Sequence, residues 1–157
     1  MLAGIKRIQL FNDLILPHIP EDIDNCVYVE PFGGSFAVCG FLPNKPKVSV
    51  YNDIKIYVHF DIQAVHIHHL DYKKIFEMYD SEETFFYLDP PYYRKEFLYG
   101  LESFEHEALK EELLKLKGRF AMSYGNCSYI QKLYKDFNIH YYNGDVPFLN
   151  KEILITK

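Results

Sequence analysis

Short apolar runs alternate along the chain with polar, turn-rich stretches and with segments of helical period. Residues 26–30 (CVYVE), 48–51 (VSVY), 85–88 (FFYL), 120–123 (FAMS), 138–142 (NIHYY) and 152–155 (EILI) read as strands, with a weaker one at 65–69 (VHIHH). The spacing predicts helices over 7–16, ended near Pro17 and Pro20, over 54–64, where β-branching weakens the pattern, and over 128–136. Helical period is clearest over 103–117, where Phe104, Ala108, Leu109, Leu113 and Leu116 share a face, Ser103 would cap and Gly118 would stop the helix. Asn143-Gly144 marks a turn before the last strand. Seven strands alternating with helices predict an α/β fold with a mostly parallel sheet.

Such sheets bind ligands at the carboxyl ends of their strands, so the residues just after each strand matter most. EPFGGS, 30–35, supplies glycines that allow close backbone approach and a helix start with positive character; a plain tight turn reads the same way. Asp53, ending the second strand, suits ribose hydroxyls or a helix N-cap. Asp71-Tyr72 could hold a purine, as carboxylate acceptor and stacking ring, or could be another cap beside a core tyrosine. At 89–92 a buried-looking strand ends in Asp89, two prolines and Tyr92. The proline pair fixes the backbone and removes two N–H donors, leaving carbonyl acceptors beside Asp89 and a ring next to them. Two acceptors and a flat π-face fit a planar amino group on a heterocycle.

Length and composition constrain this picture. The 157 residues suffice for one domain, 1–157, with a sizeable core. Aromatic residues make up 17%, all Tyr and Phe, enough to supply both core and stacking surfaces. A net charge of −5 argues against strong autonomous binding to nucleic acid. The turn is not G-x-G-x-x-G, so a nicotinamide cofactor is disfavoured. Cys26, Cys39 and Cys127 form no C-x-x-C pair, which suggests neither zinc nor disulfides and a cytoplasmic location. The histidines of HIHH, 66–69, alternate between strand faces, so no metal is expected. No run is apolar and long enough to suggest a membrane span.

DPPY at 89–92, VEPFGGS at 29–35 and NDI at 52–54 together resemble the Dam-like (D12 class) DNA adenine N6-methyltransferases, which use S-adenosylmethionine (SAM). The later stretch HEALKEELLKLKGRFAMSYGN is similar to their core as well. The resemblance implies a Rossmann-like SAM-dependent methyltransferase fold, a seven-stranded mostly parallel sheet flanked by helices. LAGIK, 2–6, is similar to the family's W-A-G-G-K, which would bring Leu2, Gly4 and Lys6 to the methionine end of SAM. Glu30, Pro31, Phe32 and Gly34 would line its methionine and sugar, Asp53 would bind the ribose, and Asp71 and Tyr72 would hold its adenine. Asp89, bordering the cofactor, and the Pro90 carbonyl would accept from the target amine, with Tyr92 stacked on the flipped base.

Three departures accompany the resemblance. Phe36 replaces the last glycine of F-x-G-x-G, and Leu2 and Ile5 replace an aromatic residue and a glycine in LAGIK. Only 35 residues separate Asp53 from Asp89, which leaves no room for the family's target-recognition domain. The expectation is therefore weak DNA binding with little sequence preference, aided by Lys45, Lys47, Arg94 and Lys95, or by a partner subunit or second copy. Methylation of another amine, such as cytosine N4 or an RNA base, and a degenerate binding subunit are the alternatives.

Overall fold

The computed structural model describes residues 8–56 and 62–157. Seven strands form one sheet: β1 Val27–Glu30, β2 Val48–Asn52, β3 His66–His68, β4 Thr84–Leu88, β5 Arg119–Gly125, β6 Asn138–Tyr141 and β7 Glu152–Thr156. Their order across the sheet is β3-β2-β1-β4-β5-β7-β6. β7 runs antiparallel to both neighbours, and the other pairings are parallel. The chain winds outward from β1 to β3, then returns to β4 on the other side of β1. The carboxyl ends of β1 and β4 thus flank a topological switch point, where α/β sheets place their ligands.

Alternation along the strands sorts the aromatic-rich core into two layers. Val29, Val50, Phe86, Leu88, Phe120 and Met122 face one side. There they meet Tyr72, Ile75 and Phe76 of α2 (Tyr72–Tyr79), Leu109 and Leu113 of α3 (His106–Lys115) and Ile130 of α4 (Ser128–Leu133). Tyr28, Tyr51, Phe85 and Tyr87 face the other side, against Phe11, Leu14 and Ile15 of the first helical segment and Phe36, which precedes α1 (Ala37–Phe41). β4 is buried along its whole length, which is why Phe85 to Leu88 read as an unbroken apolar run.

Several boundaries differ from expectation. The first helical segment continues through Pro17 to His18, because its last turn tightens to a 3-10 turn that has proline near its start, where a missing N–H is harmless. The helix expected over 54–64 is absent at 54–56 and 62–64; residues 57–61 lie outside the described residues. The helix expected over 103–117 spans only His106–Lys115. Ser103 does not cap it: Glu105 holds that position, and no side chain caps the first turn. The physical reason is His106, whose buried ring bonds Glu96 through Nε2 (2.9 Å) and Tyr124 through Nδ1. Those bonds hold the first residue of α3 in place, and the Phe104 ring packs edge-on against the His106 imidazole (5.1 Å). Lys45 and Lys47, expected near the active face, precede the amino end of β2, and Lys47 lies 3.7 Å from Glu83, before β4. They sit at the opposite end of the parallel strands because both precede β2 rather than follow it.

Candidate active site

A cavity of about 580 Å³ opens at the switch point. The turn after β1 builds one wall. Gly33 N donates to the Asn52 carbonyl (2.7 Å), and a Cβ at Gly33 would stand 2.4 Å from the Tyr51 ring, so only glycine fits there. Gly34 is left-handed (φ 51°), and a Cβ on it would meet nothing within 4 Å. Its backbone is therefore open to a closely approaching ligand. Tyr51 Oη donates to the Gly34 carbonyl (3.0 Å), and Asp53 Oδ2 accepts from Gly34 N (3.0 Å). The other oxygen, Asp53 Oδ1, accepts from Lys55 N (2.9 Å) in an Asx turn. Asp53 thus orients the glycine turn, caps no helix among the described residues, and still lines the cavity with carboxylate lone pairs to spare.

Glu30, Pro31, Phe32 and Gly34 all line this cavity, as do Asp71, Tyr72, Asp89 and Tyr92. Pro90 is buried behind Asp89 rather than on the lining. Leu2, Gly4 and Lys6 lie outside the described residues. Glu30 is buried, and its Oε1 accepts from Tyr28 Oη (2.6 Å) and Cys39 N (3.0 Å). Burial pushes its carboxyl up to about 8, so at neutral pH it is mostly an uncharged acid. Asp71 caps α2 by accepting from Lys73 N (2.9 Å), which makes it a cap that also faces the cavity.

Phe104 completes a three-ring aromatic wall. Phe32 lies 5.2 Å from Tyr72 and 5.8 Å from Phe104, and Tyr72 lies 6.0 Å from Phe104, between centroids. The sequence pattern places Phe104 on a helix face with core residues; the later start of α3 gives it this role instead. Tyr87 and Ser123, hydrogen-bonded at 2.6 Å, also line the cavity.

The DPPY segment forms the remaining wall. Asp89 follows β4 directly and is exposed. Tyr92 stacks on Tyr124 (5.6 Å, 26°), and its Oη donates to Glu152 Oε2 (2.7 Å). Burial, together with Asp89 and Glu152, pushes the Tyr92 phenol well above its ordinary range, so it stays a neutral donor. Glu152 has no local sequence signal: it arrives on antiparallel β7, 60 residues from Tyr92. Phe36 is not on the cavity lining. Its ring is buried against Tyr28 (6.3 Å) and edge-on to Tyr51 (5.5 Å, 88°), and its backbone keeps the left-handed conformation (φ 57°, ψ 29°) natural to glycine.

Fold and site together define a Rossmann-like methyltransferase architecture. The family model for D12 class N6 adenine-specific DNA methyltransferases matches residues 56–146, more than half of the chain and a span that includes Asp71, Tyr72 and the DPPY segment. The chain belongs to this family. Membership of a methyltransferase family implies SAM as the cofactor. Among solved structures, the fold is similar to the crystal structure of SMU.776, described as a methyltransferase, complexed with SAH: TM-score 0.52 at 14% identity, over 85% of this chain and 45% of that one. The chain therefore spans less than half the length of that protein. A search of curated proteins finds no match.

The cavity residues fit such a cofactor. Gly34 leaves room for close approach, carboxylates at Asp53 and Asp71 can accept from hydroxyl and amino groups, and the Phe32–Tyr72–Phe104 wall offers flat surface to a purine.

Proposed function

We propose that this protein transfers a methyl group from SAM to the exocyclic N6 amine of adenine in DNA. One observation carries the reading: Asp89, at the end of the buried strand β4, shares a cavity with the glycine turn and with the tethered ring of Tyr92. Adenine N6 is a poor nucleophile because its lone pair is delocalised into the ring. Asp89, on the cavity lining, offers an acceptor that favours a more pyramidal nitrogen and stabilises the positive charge that develops on it; the Pro90 carbonyl, the second acceptor that the motif implies, belongs to a residue buried behind Asp89 and off that lining. When bound, SAM supplies an electrophilic methyl on a sulfonium. Asp53 and the Phe32–Tyr72–Phe104 wall hold the cofactor in line with that nitrogen, and positioning of this kind is a large part of catalysis. With SAM bound, transfer would form the N6–C bond as the S–C bond breaks, S-adenosylhomocysteine would leave as the neutral thioether, and the proton lost by the amine would pass to water beside the exposed Asp89. Tyr92, held against Tyr124 and tied to Glu152, is a preset surface for a base that has left the stack.

The test is incubation of the protein with SAM and short DNA strands, followed by mass spectrometry of the nucleosides. N6-methyldeoxyadenosine that forms with wild type and is lost in Asp89→Ala supports the reading. Methyl on cytosine N4, or on RNA alone, redirects it to another amine. No transfer to any strand refutes it.

A further inference from the structure

The segment after DPPY is an anchored tip with chemistry that the proposed reaction has not used. Residues Glu96–Tyr99 form one 3-10 turn, closed by left-handed Gly100. Leu98 N donates to the Lys95 carbonyl (3.0 Å), Gly100 N to the Phe97 carbonyl (3.0 Å) and Leu101 N to the Glu96 carbonyl (3.2 Å). Both flanks are tied to the body. Glu96 turns inward to the buried His106, and the Tyr99 carbonyl accepts from Lys55 Nζ. Between these ties Phe97 is 71% exposed and Leu98 67%, among the most exposed large apolar side chains of the described residues. Tyr92 on one side and Tyr99 and Leu101 on the other line the cavity, so the tip stands at its rim.

Cations flank the tip. Arg94 and Lys95 are exposed and make no ion pair among the described residues; Arg94 lies over the Tyr93 ring (5.3 Å) and Lys95 over the Tyr92 ring (5.8 Å). Arg94 holds a left-handed backbone (φ 62°), an uncommon conformation for a residue with a side chain, and such outliers concentrate at functional segments. The one acidic residue between Arg94 and Tyr99, Glu96, is engaged with His106, so its carboxylate does not face outward beside them. In a chain of net charge −5, exposed apolar side chains and cations with no ion pair among the described residues therefore coincide at the rim of the cavity. Aromatic and aliphatic side chains beside Arg and Lys suit a nucleic-acid strand, stacking on bases while the cations meet phosphates.

We infer that the Phe97-Leu98 tip engages the strand carrying the target base, Phe97 and Leu98 against bases next to it and Arg94 and Lys95 on the adjoining phosphates. This inference rests on the proposed reading of the cavity as a nucleic-acid methyltransferase site. It gives the chain a nucleic-acid contact of its own where a recognition domain has no room.

The experiment is an anisotropy titration of the full chain on a fluorescein-labelled single strand of about fifteen nucleotides with one adenine, at several salt concentrations. Phe97→Ala/Leu98→Ala should raise the Kd roughly ten- to a hundredfold. Arg94→Ala/Lys95→Ala, which removes two phosphate contacts, should reduce the slope of log affinity against log salt by about 1.4. All four side chains are exposed, so the thermal midpoints should stay at the wild-type value. Wild-type affinity in the Phe97/Leu98 variant, or no measurable binding by wild type, overturns the inference. So does sedimentation showing that the variant dissolves a dimer while its DNA affinity is unchanged, which would make the tip a contact between copies. If strand binding depends on the tip but no methyl transfer occurs, the tip inference stands and the proposed reaction fails.

Discussion

Replacing Phe36 with glycine restores the residue that the family pattern carries there and sets two terms against each other. The side chain is 6% exposed and packed on Tyr28 and Tyr51. Truncating a buried Phe typically costs about 3–5 kcal/mol. Against this, Phe36 holds a left-handed backbone, and relieving that conformation returns about 1–2 kcal/mol. Glycine also has more conformational freedom to lose on folding, by about 0.5–1 kcal/mol. The net expectation is a loss of about 2–4 kcal/mol, or roughly 5–15 °C in the melting midpoint of a domain this size. Phe36→Ala is the internal control. It loses the ring but keeps the strain, so despite its larger side chain it should be less stable than Phe36→Gly. Urea unfolding of the three proteins measures both differences, and calorimetric titration with SAM accompanies it. Because the ring points into the core and not into the cavity, the glycine variant should gain no affinity. A glycine variant as stable as wild type that binds SAM more tightly would refute this account and show that the ring crowds the cofactor.

Other perturbations separate the remaining roles. Asp89→Ala should fold normally and lose on the order of 10²–10³ in methyl-transfer rate, measured by nucleoside mass spectrometry. Asp53→Ala should weaken SAM binding roughly five- to thirtyfold in calorimetry, through lost hydrogen bonds to the ligand and to Gly34 N, whereas unchanged affinity would leave Asp53 only a backbone tie. Glu30 is protonated when folded up to about pH 8 but ionises from about pH 4.5 when unfolded, so its stabilising contribution should fall as pH rises between those values. Glu30→Gln keeps an acceptor oxygen and should flatten that limb of a pH series of urea midpoints. Glu152→Ala frees the Tyr92 hydroxyl and should lower kcat on a DNA strand with SAM affinity intact, while Glu152→Gln, which retains an acceptor, should restore much of it.

The strand ends were legible because a parallel sheet buried on both faces makes its strands apolar runs, and a polar residue after such a run marks the rim. Glu30, Asp53 and Asp89 emerge from that rule, and all three line one cavity. Asp71 and Asp53 show its limit: composition alone does not separate a backbone cap from a ligand acceptor, and in the structure each bonds backbone N–H groups while facing the cavity. Phe104 and Glu152 were not legible. Phe104 depends on where α3 begins, at the buried His106, which is held by two side chains distant in sequence. Glu152 depends on the pairing of antiparallel β7 with β5. Lys45 and Lys47 fall outside the same rule: they precede β2, and in a parallel sheet that end of the strand lies away from the ligand.

Asn52, buried at the end of β2, reaches in two directions: its Nδ2 donates to the carbonyls of Pro31 and Leu70 (both 2.9 Å), and its Oδ1 accepts from Leu70 N (2.9 Å). One amide thus clasps the start and finish of the excursion from Asp53 to His69. Since the scaffold already holds those ends together, lengthening the chain between them adds only about 0.6 kcal/mol of closure entropy per doubling. This makes the excursion a socket for a guest module. A module grafted directly after Lys55 would leave from the mouth of the cavity, whereas one placed just before β3 would leave from the opposite end of the parallel pair β2 and β3.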